Sequence, residues 1–154
     1  MRRYAESGQQ GGVTLLELMI ALAVVALLGS LAIPAFTGYI DRARVARAIG
    51  DIGGLSLQLY RWQSANLRFP DTLAEANLDD RMDPWGQPYE YLNIATSNPN
   101  EPRKDKNLHP INTDFDLYSI GKDGKSVNAL TAKPSDDDVL RANNGGFIGL
   151  GKNY

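Results

Sequence analysis

LMIALAVVALLGSLAIPAFTGYI, residues 18–40, runs for 23 positions without a charge. At a helical rise of about 1.5 Å per residue, a run of this length spans roughly 30 Å or slightly more, enough for a bilayer core. It is apolar all round, as a membrane span is. Residues 1–12, MRRYAESGQQGG, precede it: short, polar and carrying Arg2 and Arg3. An ordinary secretory signal has an apolar region of roughly 7–15 residues and then a small-residue cleavage site. Ala32-Ile33-Pro34-Ala35 mimics such a site, but the run is longer and leads into an amphipathic helix. The Arg2-Arg3 pair fits a twin-arginine export signal, but two arginines in a basic leader are the commoner case. A plain single-span anchor explains the length and polarity of the run, but not Glu17 at its mouth. A carboxylate deep in lipid costs about 2.5–3.5 kcal/mol on insertion scales, and less near the interface. Such a residue calls for a partner; the plainer reading is an acidic group favoured by the helix dipole.

The chain has 154 residues, enough for one domain of ordinary size or a small domain with an appendage. A net charge of -2 gives no global field for nucleic acid. Arg42, Arg44 and Arg47 form one short basic cluster beyond the apolar run. With arginines on both sides of the span, the positive-inside rule does not orient it. The absence of cysteine excludes disulfides, thiolate chemistry and cysteine-based zinc sites. His109 is the only histidine, which excludes a multi-histidine metal site.

Beyond Ile40 the apolar pattern becomes one-sided. Ile49, Ile52, Leu55, Leu59 and Trp62 recur at spacings of three and four, the pattern of an amphipathic helix packing on a core. A single helix from Leu15 to Ala65 is expected, lipid-soluble in its first half and carrying a head domain on its second. Gly50, Gly53 and Gly54 weaken it locally, for close packing of a neighbouring backbone or as flexible points. Asn66 to Pro70 ends it, and Asp71 is the expected N-cap of a short helix through Leu78. Asp83-Pro84-Trp85-Gly86 signals a turn. Pro88 to Ile94 and Phe115 to Ile120 read as strands, and Gly121-Lys122-Asp123-Gly124 turns into a third near Lys125–Leu130. Residues 95–114 read as a long polar loop.

The segment Gly12-Val13-Thr14-Leu15-Leu16-Glu17, followed by its apolar helix, resembles the class III leader of type IV pilins and type II secretion pseudopilins. Asp83-Pro84-Trp85-Gly86-Gln87-Pro88-Tyr89-Glu90-Tyr91 and Asp116-Leu117-Tyr118-Ser119-Ile120-Gly121-Lys122-Asp123-Gly124 resemble the major pseudopilin of type II secretion in particular. The similarity runs in order from residue 11 to about 124. The long loop and the tail Asn143–Tyr154 depart from the typical secretion member, which leaves room for a pilin on the same head. The resemblance implies an α+β pilin fold: a long N-terminal helix packed on a small antiparallel sheet. Residues 1–12 would be the cleaved leader, 13–40 the transmembrane and filament-core helix, and 41–154 the amphipathic helix and head.

It further implies cleavage between Gly12 and Val13 by a prepilin peptidase, with N-methylation of Val13. Val13 stands where the family usually has phenylalanine. Glu17 would pair with the Val13 amine of a neighbouring subunit inside the filament. Pro34, with Gly29 and Ser30, would mark a segment that unwinds on assembly. The implied partners are copies of the chain itself, the peptidase, an inner-membrane assembly platform with its ATPase, and minor pilins or pseudopilins. The head would face the periplasm before the chain joins a periplasmic pseudopilus or a surface pilus.

Asp136, Asp137 and Asp138 cluster in a polar loop, and Asp123 lies in the preceding turn. Calcium takes roughly six to eight oxygen ligands, commonly carboxylates and loop carbonyls, so the cluster suits it. A solvated acidic loop explains the same residues. Major pseudopilins bind one calcium here, and the resemblance points to Asp123 and Asp138, with Asp137 as an alternative and the Ile120 carbonyl as a backbone ligand. Gly124-Lys125-Ser126 looks like the end of a phosphate-binding loop but sits in a hairpin, with Ser119 where the first glycine belongs. No nucleophile–base pair suggests an enzyme. A filament subunit is therefore expected, against a membrane-tethered enzyme or an anchored calcium-binding module.

Overall fold

The structure is a computed structural model and describes residues 12–154. The expected leader lies almost wholly outside the described residues. Two compact units divide the chain, Met1–Ile40 and Asp41–Tyr154. Helix α1 runs from Leu15 to Asn66, and strands β1 (Glu90–Asn93), β2 (Phe115–Ser119), β3 (Val139–Ala142) and β4 (Phe147–Leu150) follow. The strands form one antiparallel sheet in the order β1-β2-β3-β4. This is the α+β arrangement expected from the sequence.

α1 begins with a reciprocal cap. The Glu17 N–H donates to Thr14 Oγ1 at 3.2 Å, and the Glu17 carboxylate accepts from the Thr14 N–H at 3.0 Å. The helix continues through Gly29, Ser30 and Pro34. Proline at 34 has no N–H to offer the Ser30 carbonyl; separately, the Ser30 hydroxyl donates to the Leu27 carbonyl at 2.7 Å. At the other end Leu67 turns left-handed at φ 61° and its N–H closes on the Gln63 carbonyl at 2.8 Å.

In the head, Ala48, Ile52, Leu55 and Leu59 are the buried stripe of α1. They meet Phe115, Leu117 and Val139 from one face of the sheet, with Leu73, Leu78 and Tyr89 around them. Ile49 packs at the edge of this cluster, and Trp62 is half-buried. Gly50 and Gly54 have nothing within 4 Å of a Cβ position, and Gly53 meets only the Ile148 side chain at an ordinary 3.8 Å. None of the three is required by a close backbone approach inside the head.

The expected helix after Asp71 is a single 3₁₀ turn, Ala74–Ala76, with no side-chain cap from Asp71. Thr72 Oγ1 accepts the Glu75 N–H at 3.3 Å, and Glu75 accepts the Asp71 N–H at 2.8 Å. Asn77 at φ 54° then ends the turn. The third strand is not Lys125–Leu130 but Val139–Ala142. The Asn128 carbonyl and the Leu130 N–H bond to Lys104 at 2.7 and 3.0 Å, so this segment pairs with the long loop instead. β3 is buried along its whole length. Its second face packs Leu140 and Ala142 against Ile111 and Leu130 of the two loops.

Candidate functional site

The first candidate site is the start of α1. Gly12, Val13 and Thr14 stand outside the helix in non-helical backbone, and all are exposed. From Val13 to Phe36 every large apolar side chain is between 50% and 77% exposed. This stretch holds the helix segment long and apolar enough to cross a membrane. Thr14-Leu15-Leu16-Glu17 forms a capping box, in which each end of the motif satisfies an orphan N–H of the other. The Glu17 Oε2 also accepts the Thr14 hydroxyl at 3.0 Å. The carboxylate is thus held at the helix mouth by groups that a stronger, positively charged donor can displace.

The second candidate site is the loop system beside β2 and β3. Asp83, buried in the turn after residue 82, accepts the N–H groups of Trp85 and Gln87 at 2.9 Å each on Oδ1. Its Oδ2 accepts the Ser119 hydroxyl at 2.5 Å, which ties the turn to the end of β2. Gly121 has φ 69°, and a Cβ there would lie 2.5 Å from the Asp137 carbonyl oxygen. Only glycine fits so close an approach in the left-handed region. Asp137 Oδ2 accepts the Lys122 and Asp123 N–H groups at 2.8 and 3.0 Å, and Asp123 Oδ1 accepts the Lys125 N–H at 2.8 Å. Both carboxylates hold the turn.

Asp138 does something else. It is fully buried and ion-paired with Arg103, Nη2 to Oδ2 at 2.6 Å. The Ser126 hydroxyl donates to the same oxygen at 2.6 Å and receives Arg103 Nη1 at 2.5 Å. Burial pushes the Asp138 carboxyl above its ordinary range, against the pull of Ser126 and Arg103. Asp116, which accepts the Arg103 N–H at 2.7 Å and Asn112 Nδ2 at 2.9 Å, is also raised by burial. Among the described residues no three His, Cys, Asp or Glu side chains group to hold a metal. Asp123 and Asp137 each hold backbone N–H groups on one carboxylate oxygen, while Asp138 holds Arg103 and Ser126.

A further polar cluster was not foreseen. Arg141 on β3 forks onto Asp114, Nη1 to Oδ1 at 2.9 Å and Nη2 to Oδ2 at 2.6 Å, and its Nη2 also donates to the Tyr60 hydroxyl of α1 at 2.6 Å. Its guanidinium lies 4.0 Å from the centre of the Phe115 ring. His109 is exposed; its backbone N–H donates to Asp105 Oδ1 at 2.8 Å. Gly124, at φ 66°, belongs to a turn, and no α-helix follows Ser126. That removes the phosphate-loop reading.

Residues 8–33 match the prokaryotic N-terminal methylation motif. The chain is 32% identical over 138 residues to the type II secretion system core protein G of Pseudomonas aeruginosa, covering 76% of this chain and 87% of that protein. The chain belongs to the type II secretion system core protein G family. The core protein G of Aeromonas hydrophila is 27% identical over 85% of this chain and 91% of its own length. A fimbrial protein of Moraxella nonliquefaciens is 33% identical over a shorter stretch, 59% of this chain and 58% of its own. No solved structure matches significantly. The core protein G family is one of structural pilin-type subunits.

Proposed function

We propose that this chain is the repeating subunit of a type II secretion pseudopilus. The observation that carries this reading is the first half of α1, a helix whose large apolar side chains are all at least half exposed. Water does not tolerate such a rod alone. Lipid covers it before assembly, and the same helices of neighbouring copies cover it afterwards. A prepilin peptidase cuts between Gly12 and Val13, in backbone that lies outside the helix, and the new Val13 amine is methylated. The amine of one subunit then meets Glu17 of the next. Two charges that would each be costly in an apolar core neutralise one another, and removing either strands its partner. The head stays on the periplasmic side, while an inner-membrane platform and its ATPase lift subunits out of the bilayer. Contacts that do not close on themselves generate an open helix, and minor pseudopilins complete the fibre.

The Glu17→Ala chain tests the pairing. It should be cleaved and membrane-bound like the wild type, yet yield few or no filaments when co-expressed with the assembly machinery. Wild-type filament yield from this variant would remove the pairing role. The relation to fimbrial proteins favours a second reading, a surface type IV pilus. Electron microscopy of sheared cell surfaces separates the two, since long fibres of this chain belong to a pilus and loss of protein export on deletion belongs to a pseudopilus.

A further inference from the structure

We infer that the head of this chain closes its C-terminal loop with an internal cation, the guanidinium of Arg103, in the place where its family is expected to use calcium. Arg103 comes from the long loop, Ser126 from the segment after the Gly121–Gly124 turn, and Asp138 from the entry to β3. Nη2 reaches Asp138 Oδ2 at 2.6 Å and Nη1 reaches Ser126 Oγ at 2.5 Å, with side-chain exposures of 2% for Arg103 and 0% for Asp138. The guanidinium lies 4.2 Å from the centre of the Tyr118 ring on β2. Its own backbone is fixed on both sides: the N–H donates to Asp116 Oδ2 at 2.7 Å, and the carbonyl accepts the Ile111 N–H at 3.0 Å. One cation thus joins three segments and the sheet.

A divalent ion would join such segments through several oxygens. Here one oxygen of each carboxylate is already used otherwise, and among the described residues no three His, Cys, Asp or Glu side chains group to hold a metal. Asp138 is paired, Asp137 holds the Lys122 and Asp123 N–H groups, and Asp123 holds that of Lys125. A second positive charge close to a buried guanidinium is repelled with little water to screen it. Arginine suits the role because its rigid fork stays charged when buried. Asp138 Oδ1 and Arg103 Nε have no hydrogen-bond partner, and that carboxylate oxygen is the one foothold left to a metal at this residue.

The test is thermal unfolding of the full chain in detergent micelles, with excess calcium and with excess chelator. The midpoint should be the same in both. Arg103→Gln should lower the midpoint in both media, because it leaves Asp138 buried without its cation. Adding Asp138→Asn to that variant should recover part of the loss. A midpoint that rises with calcium in the wild type overturns the inference. So does an Arg103→Gln chain as stable as wild type, or a double variant no better than the single one. Should Arg103→Gln yield no folded chain, the wild-type comparison and the double variant still decide.

Discussion

Four donors converge on Asp114. Arg141 supplies two, the Tyr60 hydroxyl donates at 2.8 Å and the Phe115 N–H at 2.7 Å. Burial works to raise this carboxyl, but the hydrogen bonds from Arg141, Phe115 and Tyr60 and the charge of Arg141 bring it below its ordinary range. A carboxyl lowered in the folded state stabilises above its unfolded pKa of about 3.9 and loses that contribution as pH falls through the folded value. Asp114→Asn should therefore destabilise the head at neutral pH, toward the lower end of the roughly 3–5 kcal/mol seen when one partner of a buried pair is removed. The gap between variant and wild type should shrink on acidification below the ordinary aspartate range. Asp116 and Asp138 titrate with the opposite sign, being raised by burial, so it is the gap rather than the wild-type curve that isolates Asp114. Denaturant midpoints at neutral and acid pH measure it, and a gap independent of pH would contradict the assignment. Residues of this kind divide sharply in legibility. The turns at Asp83 and Gly121 were readable because a short polar side chain or a glycine acts on backbone next to it. Arg103 and Arg141 were not, because an arginine in a polar loop looks the same whether its partner is water or an aspartate far along the chain.

The elements repeat this division between local and distant causes. α1 was read almost to the residue, since a long apolar run and a three–four stripe both report on the helix that carries them. The capping box at Thr14 and Glu17 was also present as a spacing, though the glutamate was assigned first to a partner outside the chain. β3 escaped because a strand covered on both faces loses the alternation that marks a strand, and loops distant in sequence supply its second cover. The segment Lys125–Leu130 had the better strand signal but found its partner in Lys104. The glycines of α1 give a test at this scale. Gly50 is exposed and helical, with open space where a Cβ would stand. Gly50→Ala should raise the unfolding midpoint of the head by the equivalent of about 0.5–1 kcal/mol, the usual difference in a helix interior. A lower midpoint would show that this face is not free in the folded head. Filament yield from the same variant then reads its second role. A more stable chain that fails to assemble assigns Gly50 to helix packing within the fibre, and unchanged assembly leaves it a soft point in the helix.

Across the whole molecule, the residues that hold the head are not those that would make a fibre. Every member of both apolar clusters lies at Val45 or beyond, and the turn-building aspartates and both buried arginines lie later still. The large hydrophobic side chains described between Val13 and Phe36, such as Leu18, Leu22 and Leu28, stay exposed. A helix segment of that kind adds no core to the head, but it gives the chain its need for lipid or for copies of itself. A chain beginning at Asp41 should consequently fold as a soluble monomer without detergent. It keeps the Asp41–Lys122 ion pair, Nζ to Oδ2 at 2.7 Å, although an exposed pair of this kind contributes at most about 1 kcal/mol. Size-exclusion chromatography should give one monomeric peak, and denaturation should be a single cooperative step, as expected of a small domain with one main core. The full chain freed of detergent should instead pellet or form fibres. If the shortened chain were molten or aggregated, the first half of α1 would have to contribute to folding as well as to assembly. If it formed filaments, the apolar helix would not be the assembly element, and the proposed secretion or pilus role would need another surface to carry it.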